Sequence, residues 1–199
     1  MALILNIDTS TTMCSVALAK DGVLLAVQEQ DGDYTHAENL TVFIQSVLES
    51  AKLSLSAIDA VAVSKGPGSY TGLRIGVSTA KGLCYSLNKP LIAVDTLQAL
   101  AYSVSKQKVE NSLYCPMLDA RRMEVYTAIF DASNNVVQAT SAEIIDEHSF
   151  VSLLQENVVC FFGNGAEKCK SILSKNKNAF FVDAVVTSAK NMVTLAEKA

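Results

Sequence analysis

The amino-acid sequence predicts an α/β protein built from two similar lobes. Short apolar strand patterns alternate with helical patterns along the 199 residues, and an arrangement of three strands followed by a helix occurs twice. Half of the residues are hydrophobic and only 18% are charged, which supplies a core and excludes a disordered chain. Because an internal repeat decides the architecture, we expect two duplicated lobes that face each other across a cleft.

The first lobe is predicted to contain strands and helices in the order βββαβαβα. Asp21 and Gly22 favour a tight hairpin between the second and third strands. Thr35 and Glu38 fit a capping box, with Thr35 as the N-cap, and apolar residues at helical spacing follow. In chain order, the predicted elements are the strands Leu3–Asp8, Cys14–Lys20 and Val23–Val27, a helix over 36–52, the buried strand Ala60–Ser64, a helix over 71–87, the buried strand Leu91–Val94 and the helix Thr96–Ser105.

The second lobe repeats the beginning of the first. Tyr114–Asp119 is a strand pattern that ends in aspartate, as Leu3–Asp8 does, and Val125–Phe130 then takes the place of the second strand. The polar, charged stretch Lys106–Ser112 separates the two copies, so we predict lobes at residues 1–108 and 109–199. The other elements predicted here are the turn Asp131–Asn135, the strand Val136–Ala139, a helix near Asp146–Glu156, the strand Val158–Phe162 and, after Gly163-Asn164-Gly165, another helix.

Charge and cysteine usage limit the ligands and the compartment. The net charge of −4 predicts a poor stand-alone nucleic-acid binder, because affinity for nucleic acid depends on neutralising phosphates. Residues 61–130 nevertheless hold eight basic and four acidic side chains, so this part can face an anion. Five single cysteines without a C-x-x-C pair are typical of buried thiols in a reducing compartment. Without a signal sequence or an apolar run of about 20 residues, the sequence predicts a cytosolic protein that does not enter a membrane.

Two polar turns are candidate nucleotide sites. A carboxylate that ends a strand beside hydroxyls, as Asp8 does, can hold hydrated Mg²⁺ and phosphate, but an Asx or Ser/Thr turn is the commoner use and the one we favour. The glycine-rich segment 66–72 lies between a buried strand and a helix, where backbone N–H groups bind anions. Its spacing fits neither a Rossmann nor a Walker A motif, and a rigid connector that permits close packing is the alternative. The candidates are Asp8, Thr9, Ser10, Thr11, Gly66, Gly68 and Ser69.

The helix over 71–87 carries two faces that suit close packing. Small residues recur at every fourth position, which allows another backbone to approach, most commonly the helix's own sheet. A second apolar strip on this helix, and Val42 outside the main stripe of the helix over 36–52, favour an interface between these two helices and a partner. The small face comprises Gly72, Gly76, Ala80 and Cys84, and the second strip comprises Val77, Leu83 and Leu87.

The sequence offers no clear metal or nucleophile motif. His36 and His148 are its two histidines, and Leu40 stands where an H-x-x-x-H metal pair would need its second imidazole. A Ser/His/Asp or Cys/His triad stays open, although there is no G-x-S-x-G nucleophile elbow. We therefore predict no metal and no catalytic residue.

Three segments carry a resemblance to a known family. They are Asp8-Thr9-Ser10, the run Gly66–Gly76 (G-P-G-S-Y-T-G-L-R-I-G) and Asp119–Tyr126 (D-A-R-R-M-E-V-Y). In register over nearly the whole chain, the sequence resembles the TsaB (YeaZ) family, bacterial partner proteins in the synthesis of threonylcarbamoyladenosine in tRNA. The resemblance implies the actin-like ATPase fold, with two ribonuclease-H-like lobes that each contain a mixed sheet flanked by helices.

The resemblance also implies a function without catalysis. TsaB-like proteins pair with a catalytic subunit, TsaD, and recruit a P-loop ATPase, TsaE; together these transfer a threonylcarbamoyl group to N6 of adenosine 37 in tRNAs that read ANN codons. It implies no cofactor, only indirect contact with tRNA, and a homodimer when the chain is alone. The implied interface lies on the two N-terminal helices, at His36, Leu40, Val42, Phe43, Ile44, Val47, Gly72, Arg74, Gly76, Val77, Ala80, Leu83 and Cys84.

Other functions on the same fold are less well supported. A ribonuclease-H-like nuclease needs a third carboxylate besides Asp8 and Glu38, but the fourth strand ends in serine and lysine. The alternative that stays open is a glycoprotease-like or nucleotide-binding, kinase-like protein. A metal-dependent glycoprotease would need a histidine pair, which this sequence lacks. A kinase would need an intact phosphate loop in each lobe, and the second loop here contains the bulky arginines at 121 and 122. Together with Arg74, Arg121 and Arg122 are candidates for contact with tRNA or nucleotide.

Overall fold

The computed structural model describes residues 2–32, 36–105 and 112–199. The chain divides into two units, Met1–Ala99 with Thr187–Ala199 (unit 1) and Leu100–Val186 (unit 2). The predicted capping residue Thr35 and most of the predicted boundary stretch lie outside the described residues.

Unit 1 is built on a mixed five-stranded sheet. Its strand order is β3-β2-β1-β4-β5, with β1, β2 and β3 antiparallel and β1, β4 and β5 parallel. The elements are β1 (Leu3–Asp8), β2 (Met13–Lys20), β3 (Val23–Asp31), α1 (His36–Ala51), a 3-10 turn at Leu55–Ala57, β4 (Ala60–Ser64), α2 (Tyr70–Leu87), β5 (Leu91–Val94) and α3 (Thr96–Ser105), within which the unit boundary falls.

Both faces of this sheet are covered, which is why β1 is apolar at successive positions. Leu5 and Ile7 pack in one core with residues of α1 and α2, whereas Ile4 packs in a second core with residues near the C-terminus. A strand buried on both faces reads as a continuous apolar run rather than an alternating one. The strand ends at Asp8, so this polar residue is held at the edge of a rigid element.

Unit 2 repeats the topology of unit 1. Its strand order is β10-β9-β6-β7-β8, with β6, β7 and β8 antiparallel and β6, β9 and β10 parallel. The predicted duplication and the α/β class are therefore confirmed. The elements are β6 (Ser112–Asp119), β7 (Glu124–Phe130), β8 (Val136–Ile144), α4 (Val151–Glu156), β9 (Val158–Phe162), α5 (Ala166–Leu173) and β10 (Ala179–Val182).

The C-terminal segment belongs to unit 1, whereas the sequence placed it in a second lobe of residues 109–199. A 3-10 turn at Ala189–Met192 and α6 (Val193–Glu197) pack on the first sheet. Ala189 and Val193 contact Ala17 and Ala19, whose small side chains let a helical segment lie close to β2. Contacts between residues so distant in sequence leave no local signal, which explains why this segment was not predicted.

Several predicted elements differ from the structure in burial or extent. β5 is an edge strand on which Leu91 is 37% exposed, so the prediction of a buried strand is wrong for this element. α4 begins at Val151 rather than near Asp146, because Asp146 closes a turn by accepting a 2.9 Å hydrogen bond from the N–H of His148. The five cysteines are buried and unpaired, as predicted. Within the described ranges no helix is both long and apolar enough to cross a membrane.

Candidate functional site

The turn after β1 is closed by its own carboxylate. Oδ1 of Asp8 accepts hydrogen bonds from the backbone N–H of Ser10 at 3.0 Å and from its hydroxyl at 2.6 Å. Burial raises the pKa of the Asp8 carboxyl above its ordinary value, and the two bonds from Ser10 oppose that rise. This geometry is the Asx turn that we favoured from the sequence.

The glycine-rich segment before α2 packs directly against this turn. A Cβ atom at Gly68 would overlap the backbone oxygen of Ser10, which accepts a 2.7 Å hydrogen bond from the N–H of Ser69. The hydroxyl of Thr9 donates a 2.7 Å hydrogen bond to the carbonyl oxygen of Gly72. The glycines therefore allow two backbone segments to touch, which is the close-packing interpretation of this motif.

Of the seven nucleotide candidates, four are joined by direct contacts: Asp8, Ser10, Gly68 and Ser69. Thr9 packs on Gly72 instead, while the hydroxyl of Thr11 lies 2.6 Å from the hydroxyl of Thr187. The carbonyl oxygen of Gly66 accepts a 3.0 Å hydrogen bond from the N–H of Thr96. Nucleotide binding by these residues stays a prediction.

His36 ties the start of α1 to the same turn. Its Nε2 lies 2.7 Å from the carbonyl oxygen of Thr11, so this nitrogen is the donor. Leu40, one helical turn later, is 1% exposed and lies in the core. Within the described part of the chain, no group of three or more His, Cys, Asp and Glu side chains could hold a metal ion.

The small face of α2 is used inside unit 1. A Cβ atom at Gly76 would overlap the hydroxyl oxygen of Thr9, and Ala80 is fully buried. Most of the predicted interface residues are therefore absent from the surface of unit 1, because they fill its core. Those buried are His36, Leu40, Phe43, Ile44, Val47, Gly72, Gly76, Ala80 and Cys84.

The outward face of the two helices presents a different set of side chains. Val42 is 55% exposed on α1, and Tyr70 and Tyr85 are 70% and 92% exposed on α2. The guanidinium of Arg74 lies 4.6 Å from the ring centroid of Tyr70, a cation–π contact. Of the remaining candidates, Val77 and Leu83 are half-buried. The two tyrosines were missed from the sequence, although their spacing of four from Arg74 and Lys81 places them on one helical face.

The turn between β6 and β7 is the equivalent turn of unit 2. Oδ1 of Asp119 accepts a 2.9 Å hydrogen bond from the N–H of Arg121 and forms an ion pair with Lys168. Partial burial would raise the pKa of Asp119, but the bond from Lys168 and the turn N–H hold it below its ordinary value. Arg121 and Arg122 are exposed.

Comparison with protein families and curated proteins finds relatives that are named for tRNA modification. A family model described as TsaD, tRNA N6-adenosine threonylcarbamoyltransferase, matches residues 30–196. The tRNA threonylcarbamoyladenosine biosynthesis protein TsaB of Escherichia coli (strain K12) is 37% identical over 132 residues, which are 66% of this chain and 56% of that protein. This chain spans 51 to 58% of the length of the first curated relatives.

Comparison with solved structures identifies the fold. YeaZ from Pseudomonas aeruginosa is similar with a TM-score of 0.79 and 27% identity, over 98% of this chain and 91% of that one. The activator of the 2-hydroxyisocaproyl-CoA dehydratase from Clostridium difficile, with bound ADPNP, reaches a TM-score of 0.56 at 11% identity, over 99% of this chain and 94% of that one, and this likeness concerns the fold alone. The predicted actin-like ATPase fold is confirmed.

Proposed function

Because the chain belongs to the TsaD family of tRNA N6-adenosine threonylcarbamoyltransferases, among its TsaB (YeaZ) members, we propose that it is the non-catalytic partner subunit of a threonylcarbamoyl transferase complex. Its role is to dimerise with a TsaD-like catalytic subunit and to recruit a TsaE-like ATPase in the cytosol. The complex transfers a threonylcarbamoyl group from its adenylate to N6 of adenosine 37 in tRNAs that read ANN codons, and AMP leaves. Alone, the chain forms a homodimer and needs no cofactor.

The proposal that the chain is non-catalytic depends on one observation: the two candidate phosphate turns pack against each other. Thr9 and Ser10 are 1% and 0% exposed, and the glycine-rich segment contacts their backbone oxygens. A phosphate cradle needs free backbone N–H groups. Here the N–H of Ser10 is bonded to Asp8 and the N–H of Ser69 to Ser10.

The contacts of His36 and the burial of Leu40 also support a non-catalytic subunit. A metal pair on α1 would need imidazoles one helical turn apart, facing a common site. His36 uses Nε2 on the carbonyl oxygen of Thr11, and the position one turn later is a buried leucine. A metal-dependent hydrolase site at this helix is therefore unsupported by the side chains present.

The partner surface that we propose is the outward face of α1 and α2. Val42, Tyr70 and Tyr85 offer exposed apolar area, and Arg74 is held over the ring of Tyr70. Tyrosine and arginine are the residue types that most often anchor protein interfaces. A stable interface buries about 1,200–2,000 Å², so these residues form its centre and not its whole area.

Size-exclusion chromatography with light scattering tests the proposal directly. The chain is measured alone and after mixing with the TsaD-like subunit from the same cell. We expect a homodimer that converts into a mixed complex. A monomer that does not respond to the TsaD-like subunit would contradict the proposal and would direct attention to the nucleotide-binding alternative.

A further inference from the structure

The hairpin turn between β6 and β7 presents two arginines that the partner role does not use. Arg121 and Arg122 are exposed at its tip. Among the described residues, neither guanidinium forms a hydrogen bond or an ion pair. An exposed cation is ordinary, but these two are adjacent, and the charge of Arg121 acts on the nearby Asp119 carboxylate without a direct ion pair.

The backbone that carries these arginines is held in an unusual conformation. Arg121 has φ 74° and Arg122 has φ 47°, both in the left-handed region that glycine and asparagine prefer. Local hydrogen bonds hold it there: the N–H of Arg121 donates to Asp119, and the N–H of Glu124 donates to the carbonyl oxygen of Arg121 at 3.0 Å. The two side chains therefore project from a turn that is fixed by its surroundings.

Lys168 adds a third cation beside this turn. It forms an ion pair with Asp119 and donates a 2.7 Å hydrogen bond to the carbonyl oxygen of Glu124. Besides the pair of Asp119 and Lys168, residues 121–124 of the turn hold two arginines and one carboxylate, that of Glu124.

We propose that Arg121 and Arg122 contact phosphate groups of the tRNA backbone. A guanidinium binds phosphate through two parallel N–H donors, which a lysine does not provide. Half or more of the hydrogen bonds between proteins and nucleic acid go to the backbone, and they set orientation and affinity without reading sequence. The inference rests on the proposed function, which supplies the tRNA, and it makes the contact direct where the sequence predicted an indirect one.

The test compares tRNA binding by two variants of equal charge. R121Q/R122Q removes the tip cations, and K175Q/K177Q removes two exposed lysines elsewhere in unit 2. Each variant is first assembled with the TsaD-like subunit and checked by light scattering. Binding of fluorescein-labelled, unmodified tRNA is then followed by anisotropy across a range of salt concentrations. Glutamine keeps a polar side chain without the charge, and both positions are exposed, so no change in folding is expected.

We expect R121Q/R122Q to weaken tRNA binding about tenfold at low salt and to reduce the slope of log K against log salt by about one or more. K175Q/K177Q should stay within about twofold of the unmodified complex. Equal weakening by both variants would mean a general charge effect and would overturn the inference, as would no weakening by either. Loss of ADP binding by R121Q/R122Q with tRNA binding intact would assign the site to a free nucleotide instead.

The assembly step separates this inference from the proposed function. If the unmodified chain fails to join the TsaD-like subunit, the proposed function fails. If only R121Q/R122Q fails to assemble, the turn belongs to the partner surface, and direct tRNA contact through it is rejected.

Discussion

Gly72 lies so close to Thr9 that a Cβ atom at position 72 would overlap the backbone oxygen of Thr9, whose hydroxyl donates a 2.7 Å hydrogen bond to the carbonyl oxygen of Gly72. This contact fixes the first turn of α2 against the turn after β1. It connects the glycine-rich motif of the sequence to packing within unit 1.

The contact predicts that Gly72→Ala destabilises the chain. The methyl group meets backbone rather than a flexible side chain, so α2 must shift, and we expect a loss of about 2–3 kcal/mol. Gly82→Ala is the matched control, because Gly82 lies in the same helix and its added Cβ would meet no atom within 4 Å beyond its chain neighbours and the backbone of the helix itself. That substitution should stabilise the chain by up to about 1 kcal/mol through helix propensity. Urea unfolding of both variants checks the pair; similar values would contradict the packing account.

If the exposed face of α1 and α2 is the partner surface, a charged substitution on it should weaken dimerisation. Val42→Glu should weaken both the homodimer and the complex with a TsaD-like subunit by about tenfold or more, because it places a charge at an apolar interface. Val137→Glu is its control, since Val42 is 55% and Val137 54% exposed and the substitution is identical. Sedimentation velocity over a concentration series measures both. Equal effects, or none from Val42→Glu, would remove α1 from the interface.

Ala80 is unsuitable for the same test, although its position on α2 suggests it from the sequence. It is 0% exposed and lies in the core of unit 1. A glutamate there would bury a charge without a partner and unfold the unit. Loss of pairing by Ala80→Glu would therefore report folding and not the interface.

The hydrogen bonds of Glu29 to the C-terminal segment should make the stability of the chain depend on pH. Partial burial would raise its pKa, but hydrogen bonds from Ser188, Lys190 and Ser15 hold it below the ordinary value of 4.5. A carboxyl group with a lowered folded-state pKa contributes stability above the unfolded-state pKa and loses it as pH falls through the folded-state pKa. The contribution should thus be complete at pH 7 and decline below about pH 4.5.

Glu29→Gln tests this dependence. We expect a loss of about 1–2 kcal/mol at pH 7, because the ionised acceptor of three groups is removed, and a smaller difference at pH 3.5. Thermal unfolding by circular dichroism at the two pH values measures it. A difference that is constant with pH would show that the charge of Glu29 is not what holds Ser188 and Lys190.

The packed turns predict weak nucleotide binding. We expect Mg²⁺–ADP titrated into the chain alone to give no saturable heat up to about 1 mM, because the N–H groups of Ser10 and Ser69 are already bonded. Isothermal titration calorimetry checks this. Saturable binding that disappears in Asp8→Asn would contradict the packing account and restore the nucleotide interpretation of these residues.

Much of the fold could be predicted because local signals mark where the strands end. The bounds of Ala60–Ser64, Thr96–Ser105 and Val158–Phe162 are those predicted, and Gly66 and Gly163 follow two of these elements closely. The repeat of three strands and a helix predicted two similar lobes, and the two sheets have corresponding strand orders. What could not be predicted depends on tertiary contact, as in the packing of Ala189 on small residues of β2.

The candidate site was predicted less completely, for a related reason. The sequence shows that α2 has two faces able to pack, but it does not say which one turns inward. In the structure the small face of α2 turns inward, because Gly72 and Gly76 let the helix approach Thr9 closely. Tyr85, which is 92% exposed, was left out because the predicted interface followed the small and apolar residues of α2.

The most direct measurement is transfer of the threonylcarbamoyl group from threonylcarbamoyl adenylate to unmodified tRNA by the purified TsaD-like and TsaE-like subunits, with and without this chain. If the chain is a non-catalytic partner, product should form only when all three proteins are present, and this chain alone should form none. Val42→Glu should reduce the yield and Val137→Glu should not. Product formed without this chain, or by this chain alone, would contradict the account.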